Sequence, residues 1–327
     1  MEKLLDVKGL STEFRTERGI VKAVNNVSYD IAPGEILGIV GESGSGKSVS
    51  QLSLMQLVPN PPGKIVAGEA IFNGVDILKF KRKGREMSAI RGKEISMIFQ
   101  EPMTSLNPAM NIGNQLSEVL MTHLGIDKGA ALERCADMLS QVGIADPKRR
   151  LVDYPHQFSG GMRQRVMIAM AMLCTPKLII ADEATTALDA TIQAQILELL
   201  YNIVCESGVA LTMVTHNLGV VARFANRVNV MYAGRVIETG PVDEIWANPL
   251  HPYTEGLISC VPKLDEKLEP IPGMPPNLIN RPPTCPYYAR CKYRQALCLK
   301  EPIADLTYVS EQHATTCNVI LKGAGLL

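Results

Sequence analysis

Apolar and polar residues alternate over 4–7, 21–24 and 27–31, the period-two pattern of half-buried strands. A Pro33-Gly34 turn then leads into Glu35-Ile-Leu-Gly-Ile-Val40, a nearly continuous apolar run that predicts a strand buried on both faces. The run ends in a glycine-rich stretch, and helical patterning continues to about Leu57. Residues 62–100 predict short strands and a basic loop, closing on a strand over 95–99, whereas 111–175 read as successive helices. Pro176 ends the last of these, and the apolar run 177–181 predicts another short buried strand. Over 190–205, Ile192, Ile196, Leu199, Leu200 and Ile203 fall on one helical face. Further strands are predicted over 209–214 and 228–232. Strand and helix alternate on both sides of a helical insert, the pattern of a mostly parallel α/β core. After His251-Pro-Tyr-Thr254, Pro262, Pro270, Pro272, Pro275, Pro276, Pro282, Pro283 and Pro286 preclude long regular elements and place a boundary near 250.

Length and charge narrow the picture. A chain of 327 residues suggests about two domains, or one with an appendage. Its 33 basic and 33 acidic residues leave no net charge to grip nucleic acid or anionic lipid as a whole. The densest basic stretch, 79–93, has Phe80 as its only aromatic and reads as a solvated loop, so no nucleic-acid partner is expected. The longest clean apolar run, 166–174, has nine residues, against about 20 for a membrane span. No apolar stretch of signal-peptide length opens the chain, so a cytoplasmic location is expected.

Gly41-x-x-x-x-Gly46-Lys47-Ser48 fits the Walker A pattern between a predicted strand and helix. Its glycines let backbone N–H groups curl around phosphates at a helix N-terminus; Lys47 would neutralise the β and γ phosphates and Ser48 would ligate Mg²⁺. Gly41, Ser43, Gly44, Ser45, Gly46 and Val49 complete the candidate nucleotide contacts. Lys177-Leu-Ile-Ile-Ala-Asp182-Glu183 fits Walker B: Asp182 would hold Mg²⁺ and Glu183 would orient or deprotonate the attacking water. Upstream, Phe158-Ser159-Gly160-Gly161-Met162 precedes a helix and supplies a second anion-binding N-terminus outside the Walker A loop.

The set resembles an ATP-binding cassette (ABC) ATPase, with Ser159-Gly-Gly-Met162 similar to that family's signature motif. Gln100 matches the Q-loop, with an implied Mg²⁺ contact; Thr186-Ala-Leu-Asp189 matches the D-loop; His216 matches the switch histidine; and Phe14 is the candidate for stacking on adenine. The resemblance implies an α/β fold: a RecA-like P-loop core, an N-terminal antiparallel β-subdomain, a helical signature subdomain over about 101–175, and a Pro/Cys-rich tail after an ATPase domain of residues 1–250. It also implies a head-to-tail ATPase dimer, in which Ser159 and Gly161 touch the partner's nucleotide and His216 its own. Phe158, Met162, Ala184 and Asn217 depart from the family's more usual Leu, Gln, Pro and Asp without removing a group assigned to phosphate or metal.

Residues 99–108, Tyr154-Pro-His-Gln157, Met231-Tyr-Ala-Gly234 and His251-Pro-Tyr-Thr254 further resemble ATPase subunits of dipeptide and oligopeptide importers. That likeness implies two membrane permeases, a second and paralogous ABC ATPase, and an extracytoplasmic substrate-binding protein. It implies a peripheral site on the cytoplasmic face of the inner membrane, and the helical insert as the seat of the permeases' coupling helix. Nickel or another small solute in place of peptide is the alternative cargo, and a soluble cassette acting on nucleic acid or ribosomes the alternative function.

Of eight cysteines, Cys135, Cys174, Cys205 and Cys260 are scattered in apolar segments and read as free thiols. The spacing Cys285-x5-Cys291-x6-Cys298-x18-Cys317 lacks the short knuckles of structural zinc sites and suits a [4Fe–4S] cluster better, with unligated thiols as the plain alternative. Pro286, Tyr287, Tyr288 and Tyr293 are placed to shield it. Some members of the importer family carry such clusters in their tails.

Overall fold

The computed structural model describes residues 2–100, 105–184, 189–262, 270–279 and 281–327. They divide into two compact units, one of residues 1–32, 36–79 and 213–327, the other of residues 33–35 and 80–212.

In the first unit, strands Gly19–Ile31, Leu5–Thr16, Gly63–Phe72 and Val75–Asp76 form an antiparallel sheet in that order. In its second strand Leu5 and Val7 alternate into the core, and Leu10 and Thr12 resume the alternation beyond a register shift. The strands expected at 21–24 and 27–31 are one continuous strand. Its register slips opposite Leu10 and Thr12, and Asn26 sits at φ 55°. A bulge breaks the alternation without breaking the strand.

The same unit holds a second run of strands in the order Thr307–Tyr308, Ala314–Thr315, Arg235–Pro241, Arg227–Tyr232 and Ile36–Val40. Only the last pair is parallel; the others are antiparallel. The expected mostly parallel sheet therefore carries an antiparallel extension here, half of it supplied by the tail. All five residues of Ile36–Val40 are buried, as a strand covered on both faces requires. Glu238 and Thr239 pair with Thr315 and Ala314, so this unit runs through residue 250 without a break.

In the second unit, Ile95–Ile98 and Leu178–Asp182 pair in parallel, and the amide of Ala210, which opens strand Ala210–Thr215, donates to the carbonyl of Lys177. Helices Ile112–Leu124, Lys128–Gln141, Gly160–Met172 and Ala190–Ser207 begin at Asn111, Asp127, Ser159 and Asp189, and each cap side chain accepts a backbone N–H of its first turn. The last helix buries Ile196, Leu197, Leu200, Ile203 and Val204, a face rotated slightly from the expected one. Among the described residues no helix is long and apolar enough to cross a membrane.

Candidate functional site

In the first unit, strand Ile36–Val40 delivers the loop of residues 41–46, and helix Lys47–Leu54 follows. Gly41 and Gly46 sit at φ 153° and 100°. A Cβ on Gly41 would strike the carbonyl oxygen of Met231, and one on Gly46 that of Ala23, so no other residue fits either position. The helix has no side-chain cap, which leaves its first amides to the loop's concavity. Lys47 is buried, and its Nζ donates to the carbonyls of Gly41 (2.7 Å) and Glu42 (3.1 Å). The buried Ser45 Oγ has no hydrogen-bond partner among the described residues. A buried hydroxyl and an uncapped helix start suit a phosphate.

Ser43, Gly44, Ser48 and Val49 belong to this same loop and helix. Phe14, near the end of its strand, lies half-buried with its ring edge against Gly63. His216 is exposed just after strand Ala210–Thr215. Asn217 beside it accepts from the amides of Gly219 (3.0 Å) and Val220 (3.4 Å), so it caps the next helix as the more usual Asp would.

The second unit holds the other motifs. Asp182 is buried at the C-terminal end of its strand, the end at which open α/β sheets bind ligands. Glu183 stands at φ 44°, a left-handed conformation rare for a non-glycine residue and concentrated at functional sites. Gln100 Nε2 donates to Glu183 Oε2 at 2.9 Å, which brings these two predicted residues together. Ser159 is exposed at the start of helix Gly160–Met172, its Oγ accepting from Met162 N at 3.3 Å. Phe158, the departure from Leu, is buried with the Arg150 guanidinium 5.7 Å from its ring centre. Asp189 Oδ1 accepts from Ile192 N at 3.0 Å, while Thr186, Ala187 and Leu188 of the expected D-loop lie outside the described residues.

A second constellation lies wholly in the first unit. Cys285, Cys291, Cys298 and Cys317 line one cavity of about 600 Å³, with Tyr287, Tyr288 and Tyr293 on its wall. Pro286, expected there, instead lines a smaller cavity beside Lys22, Arg235 and Arg281. Burial pushes the Cys285 thiol up to about 11, and the other three sulfurs add to the rise. Cys291 and Cys317 are raised for the same first reason. Backbone N–H groups oppose it: those of Tyr287 to Cys285, Tyr293 to Cys291, and Val319 and Ile320 to Cys317. Such donors favour thiolate and are the outer contacts of metal-bound sulfur. Among the described residues no three His, Cys, Asp or Glu side chains converge on one metal-ion position. Four thiols on one cavity wall have the donor chemistry of an iron–sulfur cluster, but among the described residues they do not come together as a metal-holding group.

Sequence reasoning missed Glu42, Tyr253 and Arg290. Glu42 N–H donates to Tyr253 Oη at 2.8 Å, and its carboxylate receives both terminal nitrogens of Arg290, at 2.6 and 2.9 Å. The sole sequence signal was His251-Pro-Tyr-Thr254, legible only as a family marker.

The glycine-dependent phosphate loop and the buried Walker B aspartate define a P-loop nucleotide-binding protein of the α/β class. A family model described as "ABC transporter" matches residues 24–186, and one described as "Oligopeptide/dipeptide transporter, C-terminal region" matches residues 237–298. The chain is 50% identical over 320 residues to the dipeptide transport ATP-binding protein DppD of Bacillus subtilis, covering 97% of this chain and 95% of that one. It is 50% identical over 302 residues to the oligopeptide transport ATP-binding protein OppD of Salmonella typhimurium, covering 91% and 89%. Among solved structures, a dimeric ATP-binding cassette in a post-hydrolysis state with ADP and Pi superposes with a TM-score of 0.64 at 27% identity, covering 73% of this chain and 98% of that one. Clostridium perfringens cbiO1, part of an ABC transporter complex, gives 0.63 at 26% identity, covering 76% and 92%. With a relative half identical over nearly its whole length, this chain belongs to the ABC transporter family, in the branch that bears the oligopeptide/dipeptide C-terminal region.

Proposed function

We propose that this chain is the ATP-hydrolysing subunit of a membrane importer of dipeptides or oligopeptides. The observation that carries the reading is the near end-to-end identity with dipeptide and oligopeptide transport ATP-binding proteins, tail included. Lys47 and the amides of the phosphate loop hold the triphosphate, and Phe14 offers its ring to the adenine. Ser48, Gln100 and Asp182 would hold Mg²⁺, directly or through water, and the ion would supply neutralising charge to the phosphates. Glu183, with Gln100 at its carboxylate, orients the water and takes its proton, while His216 meets the γ-phosphate. Ser159, Gly160, Gly161 and Asp189 belong to the face offered to a second cassette, which is a paralogue.

The subunit lies on the cytoplasmic face of the membrane, held there by two permeases, and peptide arrives by way of an extracytoplasmic binding protein. The four cysteines of the tail would hold a [4Fe–4S] cluster; their shared cavity and the amides on the sulfurs of Cys285, Cys291 and Cys317 support this. Iron and acid-labile sulfide in anaerobically purified protein are expected at about four each per chain; their absence removes the cluster.

The transport reading is tested by affinity purification of the tagged protein from gently solubilised membranes, with mass spectrometry of its companions. Two polytopic membrane proteins and a second cassette ATPase are expected. A chain accompanied only by ribosomes or nucleic acid would overturn it.

A further inference from the structure

Glu42 occupies a variable position of the phosphate loop, yet each of its polar groups is engaged. Its N–H donates to Tyr253 Oη and its carbonyl accepts from Lys47 Nζ and Ser45 N. Its carboxylate takes the two-pronged grip of Arg290. The Arg290 side chain is 4% exposed and that of Glu42 28%. Arg290 Nε also donates to the Pro272 carbonyl (2.8 Å) and Nη1 to Tyr232 Oη (3.3 Å), so the guanidinium is fixed in plane and position. Its carbon lies 5.9 Å from the ring centres of both Tyr232 and Tyr287.

Two physical points give this pair a role beyond holding the tail down. A largely buried ion pair is a weak source of stability, because desolvating both ions offsets their attraction. Its position is the second point: a carboxylate in the loop that takes a triphosphate repels the ligand unless a cation neutralises it. Lys47, the loop's own cation, already rests on the carbonyls of Gly41 and Glu42. The one side chain that neutralises the Glu42 carboxylate among the described ion pairs comes from the tail.

We propose that Arg290 is a positioning residue for nucleotide binding: it neutralises Glu42 and locks it in the phosphate loop, and so sets the loop's grip on the triphosphate. The proposal rests on residues 41–48 being the ATP site. Arg290 touches no reacting atom, so it acts on affinity and leaves the chemical step alone.

The test uses the full-length chain, a fluorescent ATP analogue for affinity, and the reconstituted transporter for turnover. Arg290→Gln is expected to weaken ATP binding about tenfold or more, from the carboxylate left uncompensated, and to raise KM while kcat at saturating ATP stays within about threefold. Arg290→Lys keeps the charge without the planar fork and falls between. The discriminating variant is the double substitution Glu42→Gln/Arg290→Gln. With the carboxylate gone the guanidinium is not needed, so affinity recovers to within about threefold of the starting protein. Should Arg290→Gln not fold, as thermal melting would show, the Arg290→Lys KM and the affinity of the double variant decide the matter. Wild-type affinity in Arg290→Gln, or no recovery in the double variant, overturns the proposal. No ATP affinity in the unsubstituted chain overturns the ATP site itself, and the proposal with it.

Discussion

At the scale of single residues, Glu183 shows how backbone and chemistry are tied. Its φ of 44° turns the residue sharply off the end of a buried strand, and Gln100 meets its carboxylate. Glu183→Gln keeps the shape and the partner while removing the proposed base. Phosphate release should fall by about a hundredfold or more while ATP is still bound, as single-turnover assays and nucleotide titration would show. His251 gives a second residue-level expectation. Burial holds it neutral down to about 4, from an ordinary 6.5, although the Glu238 charge works the other way. Between those two values the unfolded chain binds the proton and the folded chain does not, so stability falls as pH drops from 6.5 to 4, by about 3 kcal/mol over the window. His251 Nδ1 also accepts from Tyr253 N to start a helix. His251→Asn keeps an acceptor there and should flatten the pH dependence of the urea midpoint. The phosphate and Walker B residues were legible because their chemistry fixes both residue type and spacing. Glu42 and Arg290 were not: a glutamate at a variable position and an arginine among cysteines state no partnership.

At the scale of elements, the succession of strands and helices was legible in the sequence, whereas the caps and the continuity of the strands came only with the structure. Asn111, Asp127, Ser159 and Asp189 stand where a polar side chain precedes a helical pattern, and each closes its helix. The long strands of the first sheet were read as fragments, since register shifts interrupt their alternation while the backbone pairing continues. Ser159 has two assigned tasks, cap and phosphate contact, and substitutions can part them. Ser159→Ala removes the cap and should cost about 1 kcal/mol. Ser159→Asp caps equally well but, in the proposed head-to-tail pair of cassettes, would set a negative charge against the partner's γ-phosphate. Its melting temperature should match the starting protein while transporter ATPase activity falls about tenfold or more.

At the scale of the whole molecule, the proline-rich tail reads from composition as an appendage after residue 250. Composition reports what a segment cannot form, not what it packs against. Thr315 and Ala314 extend a core sheet, and buried Glu238 accepts from the amides of Leu250 and His251 and pairs with His313 at 2.8 Å. A chain ended at residue 250 would lose Tyr253, Arg290 and His313 together and leave Glu238 buried without its imidazole. Such a truncation should lower both the thermal midpoint and the affinity for ATP, measured on soluble protein beside the full chain; equal values would show the tail to be a separate module.

The same Arg290–Glu42 link has a consequence in time. The two residues are 248 positions apart. At typical elongation rates the nascent phosphate loop therefore waits about 12–50 s for its guanidinium. Over that interval the loop exists as sequence but lacks its neutralising partner. If Arg290 sets the loop's grip, a growing polypeptide acquires its full hold on nucleotide only once the segment that completes the loop has emerged.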